Sequence, residues 1–155
     1  MHSLTPVLRH ATIADLGLLV PLFDAYRQFY GATADPDMAR RFLSERFEHN
    51  ESVILLALDH RGSGVGFTQL FRSFSSLSCA TIFILNDLFV TPEARRQGIG
   101  SSLLHAAQEF ASAAGAVRLT LSTQVTNSSA QALYEAEGWS RQSDFYVYNL
   151  RLQRG

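Results

Sequence analysis

Two arginines and two glycines stand together in ARRQGIGSSLL, residues 94–104, directly before a stretch with helical periodicity. A helix N-terminus leaves about four backbone N–H groups without internal partners, so it attracts phosphate without any side chain. Gly98 and Gly100 remove the Cβ atoms that would keep an anion away, and Arg95 and Arg96 add charged donors. The segment therefore predicts a local phosphate site, although glycines after a strand also serve simply as a tight turn.

Two familiar phosphate loops do not fit this segment. A G-x-G-x-x-G dinucleotide loop would need glycine where Leu103 stands, and no acidic residue ends the following strand. The Gly-Lys-Ser/Thr of a Walker loop is absent from the sequence. NAD and ATP are therefore poor candidates for the ligand.

Helices and strands are predicted to alternate around the glycine segment. Capping residues and apolar spacing predict helices over about 12–31, 35–49, 98–114 and 128–137. Runs rich in β-forming residues predict strands over 6–10, 52–59, 65–71, 80–90, 116–123 and 144–152, with a polar link over 73–79. A strand, a helix and a second strand form a βαβ crossover, and the flanking hairpins make the sheet mixed. The expected fold is α/β of the mixed α+β type, with a mostly antiparallel sheet in one domain over residues 1–155.

Composition limits the class of protein. The chain has 155 residues, of which 46% are hydrophobic and 17% charged, and a formal net charge of −1. This balance gives no general affinity for nucleic acid, which needs a concentrated positive surface. Cys79 is the only cysteine, the N-terminal residues do not resemble a signal peptide, and no apolar run approaches the roughly 20 residues of a membrane span. We expect a soluble cytoplasmic protein. The five histidines lack metal-site spacing, so no metal is expected.

Two sequence motifs carry a family resemblance. RRQGIG, residues 95–100, matches the R/Q-x-x-G-x-G/A signature of the GNAT superfamily of N-acetyltransferases and follows DLFVTPEA, which resembles the end of that family's fourth strand. NSSAQALYEAEGW, residues 127–139, resembles the family's second motif, N-x-x-A-x-x-L-Y-x-x-x-G-F/W. The resemblance implies a GNAT-like fold with helices on both faces of the sheet and with strands 4 and 5 splayed apart. It also implies acetyl-CoA as co-substrate.

The resemblance assigns roles to particular residues. The pyrophosphate of acetyl-CoA would bind the glycine turn, and its pantetheine arm would pair with the fourth strand. The cofactor-binding residues implied are Leu88, Phe89, Val90, Arg95, Arg96, Gln97, Gly98, Gly100, Ser101 and Asn127. A backbone N–H of Leu88 or Phe89 would stabilise the oxyanion. Tyr134 matches the family's tyrosine and would protonate the departing thiolate as general acid, the alternative being a core aromatic.

The general base is harder to assign. Some family members, including the diamine acetyltransferases, carry a glutamate two residues before the position of Leu88, and that position is Asn86 here. Asp87 is expected to face the opposite side of the strand from Asn86, because side chains alternate. Asn86 would hold a water that relays the proton, or the amine would arrive neutral. Asp87 would anchor neighbouring backbone or take part directly.

The acceptor site implied by the resemblance lies among the first two helices and the link around Phe74. The candidate substrate residues are Tyr26, Tyr30 and Phe74, with Phe29, Asp24, Asp35 and Asp37 nearby. Aromatic faces and carboxylates suit a cationic amine, while core packing and helix capping explain the same residues equally well.

The sequence thus predicts acetyl transfer from acetyl-CoA to a primary amine of a small molecule, such as a polyamine or an amino-acid derivative. The alternatives are a peptide acceptor and a catalytically weak acyl-CoA-binding regulatory module. The alternating aromatic residues of 144–152 also predict a homodimer, because exposed apolar strand surface marks a partner.

Overall fold

A computed structural model describes residues 5–154 of the chain, and these form two compact units that divide between Ser122 and Thr123. The strands of the first unit are β1 (Val7–His10), β2 (Ser52–Leu58), β3 (Gly64–Ser75), β4 (Ala80–Val90) and β5 (Leu119–Thr120). Its helices are α1 (Leu16–Phe29), α2 (Pro36–Glu48) and α3 (Ile99–Ala113). The second unit contains α4 (Ser128–Ala136).

The five strands of the first unit form one sheet in the order β1-β2-β3-β4-β5. The first three pairings are antiparallel, whereas β4 and β5 are parallel and are joined by α3. A parallel pair needs such a crossover, because a tight turn can only reverse the chain. The predicted mixed, mostly antiparallel sheet with one βαβ crossover is confirmed.

The helices begin where the capping residues predict. Asp15 accepts a hydrogen bond from the Thr12 N–H at 2.8 Å before α1, and Asp35 accepts one from the Met38 N–H at 3.0 Å at the start of α2. Pro21 lies within α1 without ending it, and the chain leaves that helix at Gly31, whose φ is +90°.

Helices cover both faces of the sheet. On one face, α1 and α2 pack a buried cluster against the strands. Its members include Leu19, Phe23, Leu43, Ile54, Leu56, Phe67 and Phe89. On the other face, Leu103, Leu104 and Ala107 of α3 are buried, and Phe110 packs edge-on against Phe83 at 5.3 Å between ring centroids. Each fully buried large apolar side chain stabilises the fold by about 1.5–3 kcal/mol.

A β-bulge interrupts β4 at Asn86. Gln69 pairs with Asp87 and Leu70 pairs with Leu85, so Asn86 has no partner residue in β3. One extra residue reverses the alternation of side chains along the rest of the strand. Phe83 consequently packs against α3, whereas Phe89 joins the cluster beneath α1.

Three predicted segments differ in the structure. The prediction of a polar link over 73–79 was wrong at its start, because β3 continues to Ser75. Ser75 pairs with Ala80 across a turn in which Cys79 has a φ of 49°. The strand predicted over 116–123 has only Leu119 and Thr120 in the ladder. The strand predicted over 144–152 is absent from the described part of the second unit, because β propensity forms a strand only where another strand pairs with it.

Candidate active site

The half of β4 beyond the bulge has one edge that β5 leaves uncovered. Pairing between β4 and β5 is confined to Phe83 and Ile84. On the other edge, which pairs with β3, the Thr91 N–H donates to Val65 C=O at 2.9 Å. In an antiparallel pair every second residue points its backbone N–H and C=O at the partner strand, so this bond shows which residues of β4 face β3. The backbone groups of Phe89 therefore face β3, and those of Leu88 and Val90 face the uncovered edge.

The N-terminus of α3 follows this edge. Its cap residue Gly98 has a φ of 79°, no side chain caps the helix, and the Ser102 N–H donates to Gly98 C=O at 3.0 Å. The N–H groups of Ile99 and Gly100, which precede that bond, point out of the helix end. Arg96 also has a left-handed backbone, with a φ of 64°, and successive N–H groups in such turns form concave anion sites.

The two arginines of the turn have different environments. Arg95 Nε donates to Val90 C=O at 3.0 Å, and the guanidinium carbon lies 5.6 Å from the ring centroid of Phe29 and 5.7 Å from that of Phe89. Arg95 therefore ties the turn to the end of β4 and to the end of α1. Arg96 is exposed beside it, as is Gln97, whose side-chain amide donates to Glu93 C=O at 3.4 Å.

An aromatic cluster from the end of α1, formed by Tyr26, Phe29 and Tyr30, lies against the bulged half of β4 through Tyr26. The Tyr26 ring centroid is 5.0 Å from Tyr30, 6.0 Å from Phe67 and 6.5 Å from Phe89. Phe29 and Tyr30 are 57% and 43% exposed, so core packing does not account for them.

The structure does not bring Phe74 to the aromatic cluster. This residue pairs with Thr81 near the turn of the β3–β4 hairpin and is exposed. Five residues of strand separate it from Gln69, a distance of roughly 17 Å at 3.3 Å per residue. Of the three candidate substrate residues, the structure places only Tyr26 and Tyr30 together.

The aspartates of α1 and α2 have structural partners. Asp24 is buried and accepts hydrogen bonds from the Asp35 N–H at 3.0 Å, from Arg27 at 3.3 Å and from Gln28 at 3.2 Å. Asp35 caps α2. These two carboxylates anchor the connection between the helices, as the capping alternative predicts.

Asp87 is buried, with 3% of its surface exposed, on the α1 face of β4. Gln69 Nε2 donates to Oδ2 at 2.5 Å, and Asn86 Nδ2 donates to Oδ1 at 2.9 Å. Burial raises the pKa of the carboxyl, and hydrogen bonds from Gln69, Asn86 and Tyr26 act against that rise. The expectation that Asn86 and Asp87 face opposite sides was wrong, because the bulge turns the strand between them.

Gln69 was not singled out from the sequence. It stands inside an apolar run, GFTQLF, and nothing in that run marks it as the partner of a carboxylate. The only available signal was a polar residue at a position that the strand period assigns to the core.

In the second unit, Asn127 and Tyr134 belong to α4. Asn127 Oδ1 caps the helix by accepting a hydrogen bond from the Ala130 N–H at 3.2 Å. The partly exposed Tyr134 ring packs against Trp139, with 6.0 Å between centroids. Seven residues of helix place the two about 10 Å apart along the axis.

Residues 5–154 contain neither a metal-binding cluster nor a membrane-spanning helix. There, no three His, Cys, Asp or Glu side chains are grouped so that they could hold a metal ion. None of the helices in that range is both long enough and apolar enough to cross a membrane.

Comparison with known proteins places this architecture. The model of the acetyltransferase (GNAT) family matches residues 19–139. An uncharacterized N-acetyltransferase, YhfO, of Bacillus subtilis (strain 168) is 45% identical over 145 residues, covering 94% of this chain and 97% of that protein. A crystal structure of a probable acetyltransferase superposes with a TM-score of 0.89 at 43% identity, covering 96% of this chain and 99% of the other. An aminoglycoside N(6')-acetyltransferase of Klebsiella aerogenes is 31% identical over 91 residues, 57% of this chain and 60% of its own.

A mixed sheet with an uncovered half-strand beside a glycine-opened helix is the architecture of an acetyl-CoA-dependent N-acetyltransferase. The chain belongs to the acetyltransferase (GNAT) family.

Proposed function

We propose that this enzyme transfers the acetyl group of acetyl-CoA to a primary amine of a small molecule. The observation that carries the proposal is the uncovered edge of β4, which has the aromatic cluster of α1 on one side and the N-terminus of α3 after its end. Acetyl donor and amine acceptor can therefore meet at one strand. The family match spans parts of both compact units, which supports a single N-acetyltransferase domain over 1–155.

The turn before α3 suits the pyrophosphate of acetyl-CoA. A Cβ at Gly98 would have no heavy atom within 4 Å, so an anion can approach the backbone there. The N–H groups of Gly98, Gly100 and Ser101 would bind the phosphates, together with the N–H of Gln97. Arg96 would supply the nearby exposed charge, while Arg95 would hold the turn against β4.

The uncovered edge of β4 suits the pantetheine arm. An extended ligand can pair with such an edge as an added strand, which satisfies backbone groups that would otherwise lack partners. Leu88 offers both its N–H and C=O, whereas the Val90 C=O already accepts from Arg95. The family motif over 127–139 assigns Asn127 to the binding of acetyl-CoA as well, and its side-chain N–H groups are not used in capping α4.

The chemistry needs an oxyanion donor and a general acid. The amine nitrogen attacks the thioester carbonyl, and the Leu88 N–H stabilises the negative oxygen that develops; the register favours Leu88 over Phe89, whose N–H faces β3. When the tetrahedral intermediate collapses, the C–S bond breaks and the thiolate takes a proton from a general acid, the role that the family motif over 127–139 assigns to Tyr134. Asn86 would hydrogen-bond the incoming amine at the bulge.

The aromatic cluster favours a cationic acceptor. Tyr26, Phe29 and Tyr30 present ring faces and edges beside the bulge, and an ammonium group is attracted to such faces. The Klebsiella aerogenes relative is named for transfer to an aminoglycoside amine, which supports an amine of a small molecule as the acceptor class.

The test is to incubate the purified protein with acetyl-CoA and polyamines, amino acids, aminoglycosides or short peptides. Thiol release is measured together with the mass of the acetylated product. The sequence contains no lysine, since all 13 residues counted as Lys or Arg are arginine, so thiol release cannot come from acetylation of the enzyme's own lysine side chains. We expect one class of small amine to be acetylated, and Tyr134→Phe to lower kcat by about 10²-fold or more. Acetyl-CoA binding without transfer to any amine would contradict the proposal.

We also propose that the enzyme is a cytoplasmic homodimer that uses its C-terminal segment, residues 144–152, as interface. Six large apolar side chains in this segment are 78–92% exposed, which is unusual for a surface without a partner. They are Phe145, Tyr146, Val147, Tyr148, Leu150 and Leu152. Sedimentation equilibrium should give a dimer for the unaltered protein and a monomer for a Tyr146→Ser/Tyr148→Ser variant. A monomer in both cases would contradict the interface.

A further inference from the structure

Asp87 differs from the other buried aspartates of the described chain. Asp15 is paired with Arg9 at 2.6 Å, and Asp24 is paired with Arg27 at 3.3 Å. No ion pair within residues 5–154 includes Asp87, whose hydrogen-bond donors are the neutral side chains of Gln69, Asn86 and Tyr26. A buried carboxylate without a counter-charge is costly, so a purely structural role explains Asp87 poorly.

Tyr26 connects this carboxylate to the surface. Its hydroxyl lies 3.3 Å from Asn86 C=O, in the residue next to Asp87, and its one proton can be donated either to that carbonyl or to the Asp87 carboxylate, whose pKa a hydrogen bond from Tyr26 lowers. The ring is partly exposed and belongs to the aromatic cluster beside the bulge. The phenol oxygen of this partly exposed residue thus reaches the strand at Asn86, directly beside the buried acid.

We propose that Tyr26 and Asp87 form a proton relay that converts the acceptor's ammonium into the neutral amine. This inference rests on the proposed acetyl transfer. One N–H bond of the ammonium breaks as its proton passes to Tyr26 Oη, and the phenol's own proton passes to a carboxylate oxygen of Asp87. The step yields a neutral amine, an intact tyrosine and a protonated Asp87, which later returns its proton to water. Tyr26 touches the acceptor, whereas Asp87 acts through Tyr26.

The surroundings of Asp87 can accommodate both protonation states. The groups around the carboxyl come from α1 (Tyr26), β3 (Gln69) and β4 (Asn86), and of these only Tyr26 titrates. Gln69 Oε1 is buried and has no partner in the described residues, while Nε2 of the same amide donates to Asp87. Rotation of that amide would offer Oε1 to the O–H of a protonated Asp87. Burial also raises the pKa of Asp87, which makes its carboxylate a stronger proton acceptor than an exposed one.

The relay also supplies a proton acceptor in place of the glutamate that is absent at position 86. The glutamate that some diamine acetyltransferases carry at that position is missing, and the bulge instead brings the next residue's carboxylate to the α1 face of the strand. A carboxylate thus serves the same region from the interior, through a tyrosine.

The test compares Asp87→Asn, Tyr26→Phe and the double variant with the unaltered enzyme, using the amine identified in the acceptor panel. Both substitutions keep the size of the side chain and remove one step of the relay. Glu109→Gln is the matched control, because this exposed carboxylate lies on α3, away from β4. The pH dependence of kcat/KM is measured from about pH 6 to about pH 10, with KM for acetyl-CoA and thermal unfolding measured alongside.

We expect each single variant to lose about 10²-fold in kcat/KM at neutral pH, and the double variant to lose no more than either one. The deficit should shrink as the pH approaches the acceptor's own pKa, since the amine then arrives neutral. Glu109→Gln and the KM for acetyl-CoA should be unchanged. A deficit that is equal at every pH, losses that multiply in the double variant, or full activity in Asp87→Asn would overturn the relay. If the unaltered enzyme acetylates no amine, the proposed function itself fails, and the relay fails with it.

Discussion

Asn86 Nδ2 donates a hydrogen bond to Asp87 Oδ1 at 2.9 Å, although these residues are consecutive in one strand. Consecutive strand side chains ordinarily point to opposite faces of the sheet. The bulge permits the contact, because Asn86 pairs with no residue of β3. An irregularity of the sheet therefore places an exposed amide and a buried carboxylate together, beside the strand edge proposed for acetyl-CoA.

Gly66 controls the position of that strand edge. A Cβ at Gly66 would lie 2.9 Å from Phe89 C=O and 3.4 Å from Ile99 and Leu103, so the backbone of β4 would have to move. We expect Gly66→Ala to lower the free energy of unfolding by about 1–3 kcal/mol and to weaken acetyl-CoA binding. Chemical denaturation and calorimetry check both effects.

Gly17→Ala is the control for this prediction. It places a methyl group in open space on the exposed side of α1 and should raise stability by about 0.5–1 kcal/mol. Equal effects of the two substitutions would show that Gly66 does not set the position of β4.

Asp24 is expected to act as a structural anchor. Asp24→Ala leaves the Asp35 N–H without its acceptor and removes the carboxylate partner of Arg27, and should lower the free energy of unfolding by about 1–3 kcal/mol. Steady-state kinetics at a temperature where the variant is folded should give an unchanged KM for the amine. A KM raised tenfold or more with little loss of stability would instead place Asp24 in the acceptor site.

Arg96 is expected to have opposite effects on stability and binding. Its φ of 64° is a left-handed conformation that costs a residue with a side chain about 1 kcal/mol or more. Arg96→Gly should therefore unfold at a higher temperature, yet bind acetyl-CoA more weakly because a charge near the phosphates is lost. Calorimetric titration at two salt concentrations checks the binding, and a smaller salt dependence is expected in the variant. Tighter binding by Arg96→Gly would contradict the phosphate assignment.

The raised pKa of Asp87 has a consequence for stability. Because its pKa in the folded protein lies above the ordinary value of 3.8, the folded state binds the proton more tightly than the unfolded state. Its contribution is therefore fully present below about 3.8 and is lost as the pH rises through the folded pKa. The unaltered protein should lose stability relative to Asp87→Asn over that interval. Urea titrations across the interval check this, and a stability difference independent of pH would contradict it.

Much of the fold followed from local signals. Asp35 followed by Pro36 starts α2, and the apolar run over 80–90 forms β4 over its whole length. These elements are specified by capping and by burial, which short segments encode. The glycine turn likewise starts a helix: the sequence predicts the start at Gly98 or Gly100, and Gly98 is the cap residue of α3, which begins at Ile99.

The arrangement around Asp87 could not be predicted in the same way. The bulge at Asn86 depends on how β3 and β4 align, and Gln69 contacts Asp87 across that ladder from 18 residues away in sequence. For the segment 144–152 the sequence predicted a strand that the structure does not contain, because strong β propensity does not produce a strand without a pairing partner. Pairing between strands, rather than local propensity, determined both outcomes.

An amide NMR titration of the ¹⁵N-labelled protein with coenzyme A, which binds without reacting, tests directly whether the β4 edge and the start of α3 hold the acetyl donor. We expect the largest shifts at the N–H groups of Leu88, Val90, Gly98 and Gly100, on the uncovered edge of β4 and at the start of α3. The amides of His105 and Glu109, farther along α3, should change little. Shifts confined to other surfaces, with the β4 edge and the start of α3 unchanged, would contradict the account.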